Sequence, residues 1–166
     1  MAAGSTYEPI ATQTLGSGQA SVTFSSIPQT YTDLILIMST QANTSSQGQN
    51  AVINNDTSAL YSDTMLRGNG TTADSARSTS VNSAKLSNTA SPPTSGFASY
   101  ISHFMNYSNT TTFKTIISRA DSASAAVNAI VSLYRSTSAI STIKVEITSG
   151  NFNTGSTFTL YGIAAA

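Results

Sequence analysis

Ala125-Ala126-Val127-Asn128-Ala129-Ile130-Val131-Ser132-Leu133-Tyr134-Arg135 decides how this chain folds, because it is the one stretch in which helix and strand compete. Alanine is the strongest helix former, and Ala123, Ala125 and Ala126 all precede Val127. Against this, Val127, Ala129, Val131, Leu133 and Arg135 alternate with Asn128, Ile130, Ser132 and Tyr134. A period of two belongs to a strand, and Ser132 and Tyr134 suit such a strand's second face. Read as a strand, the segment leaves no helix anywhere in the chain.

Outward from it, the same alternation runs through Phe113 to Ala120 and Phe97 to Tyr107, joined across Ser108-Asn109-Thr110, and through Ile140 to Thr148 and Thr157 to Ile163. Asp33 to Thr40 is the most hydrophobic stretch. There Leu34, Leu36 and Met38 oppose Ile35 and Ile37, so both faces are apolar and a central strand buried on two sides is expected. Tyr7 to Leu15 and Ala20 to Phe24 read as a hairpin about Gly16-Ser17-Gly18, with Val22 and Phe24 on one face. Ile27-Pro28 then breaks that pairing, since proline donates nothing to a ladder. Ala51 to Asn54 and Ala59 to Leu66, the latter with Leu60 and Met65 inward and closed by Gly68-Asn69-Gly70, bring the set to about ten strands. From there to Gly96 runs a polar excursion whose sizeable aliphatics are Val81 and Leu86, and to which no element is assigned. The expected fold is all-β: a two-sheet antiparallel sandwich, jelly-roll-like, forming one domain over residues 7–166 behind a flexible arm at residues 1–6.

Composition narrows the function. Charged residues are 8% of the chain and seven basic residues balance seven acidic ones, so no field exists to draw in nucleic acid or an anionic membrane. Hydrophobic residues reach 39%, enough for the core of a thin sandwich. A surface of Ser, Thr and Asn packs against neighbours without burying unpaired charge, which suits a protein that lives assembled. The longest apolar run, Leu34 to Met38, is too short to span a bilayer, and Met1 to Glu8 lacks the basic and apolar regions of a signal peptide.

Residues that could carry chemistry are few. Cysteine is absent, which removes disulfides, thiolate nucleophiles and cysteine-held metals. His103, the single histidine, lies between Ser102 and Phe104 in an alternating strand and reads as a locally hydrogen-bonded residue rather than a triad member. Of the carboxylates, Asp33, Asp56 and Asp121 read as turn residues. Asp56 and Asp63 could share a loop edge, without the spacing of a calcium loop. The two Gly-rich segments lack the lysine and helix of a phosphate loop. No catalytic residue, cofactor or metal ion is expected, nor a nucleic-acid or membrane partner.

Several segments carry a family resemblance: Tyr7-Glu8-Pro9-Ile10-Ala11, Val22 to Leu34 with its Pro28-Gln29-Thr30-Tyr31, Met105 to Thr110, Leu133-Tyr134-Arg135-Ser136-Thr137, and above all Gly155 to Ile163 with its Leu160-Tyr161-Gly162-Ile163. The chain resembles small virion structural proteins of tailed phages of cyanobacteria and marine bacteria. That resemblance implies a β-sandwich that binds and does not catalyse. Such modules occur on heads and in tail fibres; the chain has no coiled-coil heptads or collagen-like repeat for a fibre shaft, which favours a capsid cement or decoration protein. It would be made in the host cytoplasm, sit as a homotrimer on the capsid exterior and bind the major capsid protein over subunit junctions. The alternative is a tail-fibre or adaptor module that binds a host-surface glycan. Contact residues are expected in the N-terminal segment, anchored by Tyr7 and Pro9, at Tyr31, and in the excursion from Thr71 to Pro93 at Arg77, Pro92 and Pro93, since a polar excursion needs a partner to order it.

Overall fold

A computed structural model of the chain describes residues 6–45, 48–122 and 125–164. The strands are β1 (Tyr7–Thr14), β2 (Ser21–Phe24), β3 (Asp33–Thr40), β4 (Gln49–Ile53), β5 (Tyr61–Gly68), β6 (Ala73–Val81), β7 (Ala84–Lys85), β8 (Ala98–Met105), β9 (Lys114–Ser122), β10 (Ala126–Tyr134), β11 (Ile143–Ile147) and β12 (Thr157–Ile163). They form an eight-stranded sheet in the order β1-β12-β3-β8-β9-β10-β5-β6 and a four-stranded sheet in the order β2-β11-β4-β7, every pairing antiparallel. The expected all-β sandwich is present. The deciding stretch is β10, hydrogen-bonded along its length to β9 on one side and β5 on the other. Two ready templates and the β-branched Val127, Ile130 and Val131 outweigh the alanines' helical preference. The arm expected at residues 1–6 lies, up to residue 5, outside the described residues.

Two strands beyond the expected set, β6 and β7, come from the excursion. β6 returns on β5 through a hairpin in which Asn69 Oδ1 accepts hydrogen bonds from the backbone N–H groups of Thr71 and Thr72, at 3.1 and 2.8 Å. The same Asn-x-Thr-Thr turn joins β8 to β9, where Asn109 Oδ1 accepts from Thr111 and Thr112 at 2.7 and 2.9 Å. Within the excursion, β6 is ordered by pairing on the chain's own β5 and β7 by pairing on β4. A second correction concerns Gly16-Ser17-Gly18, which is a crossing between sheets and not a hairpin: β1 pairs with β12, while β2 pairs with β11. Every side chain of β1 is exposed or half-buried, so it can serve only as an edge strand, whereas Val22 and Phe24 need the interior.

Leu34, Leu36, Met38, Phe104, Ile116, Phe158 and Leu160 of the large sheet share a core with Val22, Phe24, Ile53, Ile143 and Val145 of the small one. β3 is inside the sheet, and of its two outer aliphatics Ile35 is buried while Ile37 is 39% exposed, so the two-sided burial expected holds at Ile35 and fails at Ile37. Tyrosines fill much of the interior. Tyr61 and Tyr134 stack at 4.6 Å, and their hydroxyls hold the turn after β4: Tyr61 donates to Asp56 O and Tyr134 to Asp56 Oδ2, both at 2.8 Å. Tyr107 donates to Pro28 O and accepts from the N–H of Tyr31.

Burial raises the phenol pKa of Tyr61, Tyr100, Tyr107 and Tyr134, with desolvation the leading cause in each. A folded value above the unfolded one means that this stability is complete below the unfolded pKa of about 10 and is lost as pH rises through the folded values. Lys114 acts in the opposite direction, because desolvation lowers its pKa and deprotonation relieves it, but it is one group against four. Urea midpoints measured from pH 8 to about 11.5 should be level to about pH 10 and then fall, each tyrosine contributing up to about 1.4 kcal/mol per pH unit. A midpoint unchanged to the top of that range would mean that these phenols ionise in place.

Candidate interaction surface

The inner face of β10 is its more polar one. The four-stranded sheet is too narrow to cover all eight strands, and at its border β7, only two residues long, packs on β5 and β10. Beyond Ser87, whose N–H still bonds to Gln49 O of β4, the chain crosses the inner face as irregular backbone outside any strand. Asn128 supplies acceptors: its Oδ1 takes hydrogen bonds from the N–H groups of Asn88 and Ala90 at 3.0 and 3.1 Å. Ser132 donates to Lys85 O at 3.1 Å, and Ser102 and Ser118 share a buried hydroxyl pair at 2.9 Å. The face of Asn128, Ile130, Ser132 and Tyr134, read from sequence as the second one, is thus the buried one. Val127, Ala129, Val131 and Leu133 turn outward.

Cross-strand register converts that inversion into a surface. On the outer face Val131 stands between Ile117 and Thr64, Ala129 between Arg119 and Leu66, and Val127 between Asp121 and Gly68. Arg119 in turn neighbours Ile101, which neighbours Ile37. Leu66 is 64% exposed, Val127 57% and Val131 49%. A shallow groove of about 460 Å³ lies among Leu66, Gly68, Ala73, Val127 and Ala129, with Arg119 and Asp121 at its side. Asp121 is therefore a mid-sheet residue and not the turn residue expected.

The expected contact residues are dispersed. Tyr7 is exposed at the start of β1 and meets the Tyr161 ring edge-on at 6.3 Å. Pro9 lies exposed on the same edge strand at a bulge, which blunts that edge. Tyr31 is half-buried; its ring lies over Gly162 and its hydroxyl donates to Glu8 Oε2 at 3.1 Å. Arg77 is exposed on the other edge strand, β6, opposite Thr64. Pro92 is buried and Pro93 half-buried, with Pro93 O accepting from the N–H of Ala42 at 2.9 Å, so this pair closes the sandwich rather than presenting a surface. The structure joins Tyr7 and Pro9 on one edge and leaves Arg77 on the opposite one.

Several titratable groups are engaged within the fold. His103 Nε2 lies 2.8 Å from Asp33 Oδ2, and Asp33 Oδ1 accepts from the N–H of Asn106 at 2.7 Å, which ties β8 to the start of β3. Asp56 and Asp63 do not share a site. Asp56 is held below the usual carboxylate range by hydrogen bonds from the side chain and backbone of Ser58, then from Tyr134. Asp63 is buried under β7, where Lys85 Nζ is 3.2 Å from Oδ1 but no hydrogen bond of good geometry forms. Lys114 is fully buried and donates to the carbonyls of Asn109, Thr112 and Thr137 at 2.6, 2.8 and 3.2 Å, pinning the β8–β9 turn. Among the described residues no group of three or more His, Asp or Glu side chains could hold a metal ion.

No family model matches the chain, and no curated protein is similar to it. Among solved structures, a protein of unknown function from Shewanella oneidensis MR-1 is similar at 8% identity and a TM-score of 0.21, over 100% of this chain and 82% of that one; a likeness this low carries no argument.

Proposed function

We propose that this protein is a non-enzymatic structural protein of a tailed-phage particle, a capsid cement or decoration protein that binds the major capsid protein over junctions between capsid subunits. The observation that carries the reading is the outer face of the eight-stranded sheet, where Leu66, Val127, Val131, Ile117 and Ile37 stand exposed on a rigid surface. Such a face adds contact area at little cost in conformational entropy, because its side chains are already held on paired strands. The sequence resemblance supports the particle. Two of the resembling segments also meet in space, since Tyr31 lies over Gly162.

Electron microscopy of intact particles carrying a tagged copy tests the reading. Label over capsid-subunit junctions is expected, and heads lacking the protein should release their genome at lower temperature than complete ones. Label confined to the tail would replace this reading with the tail-fibre or adaptor one, and a glycan-binding assay would then follow.

A further inference from the structure

We propose that Asn69 is a self-modifying site, at which the folded β5–β6 turn closes the Asn69 side chain onto the backbone nitrogen of Gly70 and converts the asparagine to aspartate and isoaspartate with release of ammonia. The inference is independent of the phage reading.

The chemistry needs an electrophilic side-chain carbonyl and, directly after it in the chain, a free peptide nitrogen. Asn69 Oδ1 accepts four hydrogen bonds, from the N–H groups of Thr71 and Thr72 at 3.1 and 2.8 Å and from their hydroxyls at 2.9 and 3.1 Å. Two of these donors are backbone N–H groups, which requires the oxygen and not the nitrogen of the carboxamide to face them. When a nucleophile adds to Cγ, negative charge develops on Oδ1, so the same four donors act as an oxyanion hole. The nucleophile is free as well. The N–H of Gly70 bonds to no described residue, and both Asn69 and Gly70 are exposed to water. Gly70 sits in open space at a φ of 87°, and with no Cβ it leaves the approach to its nitrogen unobstructed.

Water alone closes the balance. Hydroxide removes the Gly70 N–H proton, the nitrogen attacks Asn69 Cγ, and the Cγ–Nδ2 bond breaks as ammonia departs with a proton from solvent, leaving a cyclic succinimide. Water then opens the ring at either carbonyl. Opening at Cγ gives aspartate, whose carboxylate keeps the four donors and holds them more strongly as an anion. Opening at the main-chain carbonyl gives isoaspartate, which lengthens the backbone of the turn by one atom. Either product adds one negative charge to a chain whose formal net charge is zero.

The β8–β9 turn is a control within the same molecule. Asn109 Oδ1 accepts the matching bonds from Thr111, at 2.7 and 3.0 Å, and from Thr112, at 2.9 and 3.1 Å. Its following residue is Thr110, whose branched Cβ crowds the nitrogen that would attack.

Peptide mapping by mass spectrometry of the full folded chain, aged at near-neutral pH in water enriched in heavy oxygen, tests the proposal. Asn69 should take up one heavy oxygen, while Asn109 converts at least about tenfold more slowly, a difference of about 1.4 kcal/mol in barrier. Thr110→Gly should bring Asn109 to within about threefold of Asn69 by uncovering its nitrogen. Thr71→Val with Thr72→Val removes two donors but keeps both N–H groups, and should slow Asn69 at least about threefold. Conversion in the folded chain should be no slower than in the same chain unfolded in urea, where the turn's donors are dispersed. An Asn69 that stays intact when folded and converts only in urea overturns the proposal, because the turn would then protect the residue. A valine pair that converts as fast as the parent overturns it too, since the four donors would play no part.

Discussion

Replacing Asn128 by valine should lower the unfolding free energy by about 2–4 kcal/mol, while Val131→Thr on the neighbouring face should change it by less than about 0.5 kcal/mol. By hydrophobicity alone the order would be reversed. Asn128 Oδ1 is the acceptor for two backbone N–H groups, those of Asn88 and Ala90, and Ala90 is fully buried. Valine leaves both donors unbonded, each costing about 1–3 kcal/mol, and regains at most about 1 kcal/mol from strand preference. Val131 has 49% of its surface in water, so exchanging a methyl for a hydroxyl there removes little burial. Chemical denaturation of the two variants is the measurement. A larger loss at Val131 than at Asn128 would mean that β10 faces the other way, and the apolar outer surface would vanish with it.

Gly162→Ala should cost about 1–3 kcal/mol, the penalty of overpacking a filled site. Alanine normally improves on glycine within a strand. Here a Cβ at Gly162 would overlap the ring atoms of Tyr31 nearest its own backbone, which cannot swing clear without moving the loop. That loop is fastened: Tyr107 accepts from the N–H of Tyr31 and donates to Pro28, and Thr32 N donates to Ile163 O at 2.9 Å. Removing the ring makes the test specific. In a Tyr31→Ala background the Gly162→Ala change should be neutral or slightly stabilising, so thermal melts of the two singles and the double should be strongly non-additive. Additive losses would show that the ring and the glycine act independently.

Much of the architecture was legible because its signals are local. Period-two alternation in Phe97 to Tyr107, Phe113 to Ala120 and Ala125 to Arg135 marks β8, β9 and β10 without reference to their partners. Asn-Gly and Asn-Thr turns announce the hairpins at Asn69 and Asn109, since an asparagine side chain reaches the backbone two residues on. The errors have different causes. Gly16-Ser17-Gly18 has the composition of a hairpin, yet only the availability of β11 and β12, more than a hundred residues later, sends β1 and β2 to different sheets. The excursion after Gly70 lacks large aliphatics because β6 is an edge strand needing only one partner's hydrogen bonds.

The interaction surface shows the same division. Alternation in Ala125 to Arg135 established by itself that two chemically different faces exist, because side chains on a strand must point to opposite sides. Which face is buried was not in the pattern, for both hold residues that a core accepts. It was decided by the narrow second sheet, whose last strand gives way to irregular backbone over β10 and so demands the acceptor of Asn128 and the hydroxyl of Ser132. Local chemistry thus determined a chain of antiparallel strands with a scant and balanced set of charges. Only the tertiary structure decided that its aliphatic row faces water beside Arg119 and Asp121, since a polar side chain is cheaper to bury than the unpaired backbone it satisfies.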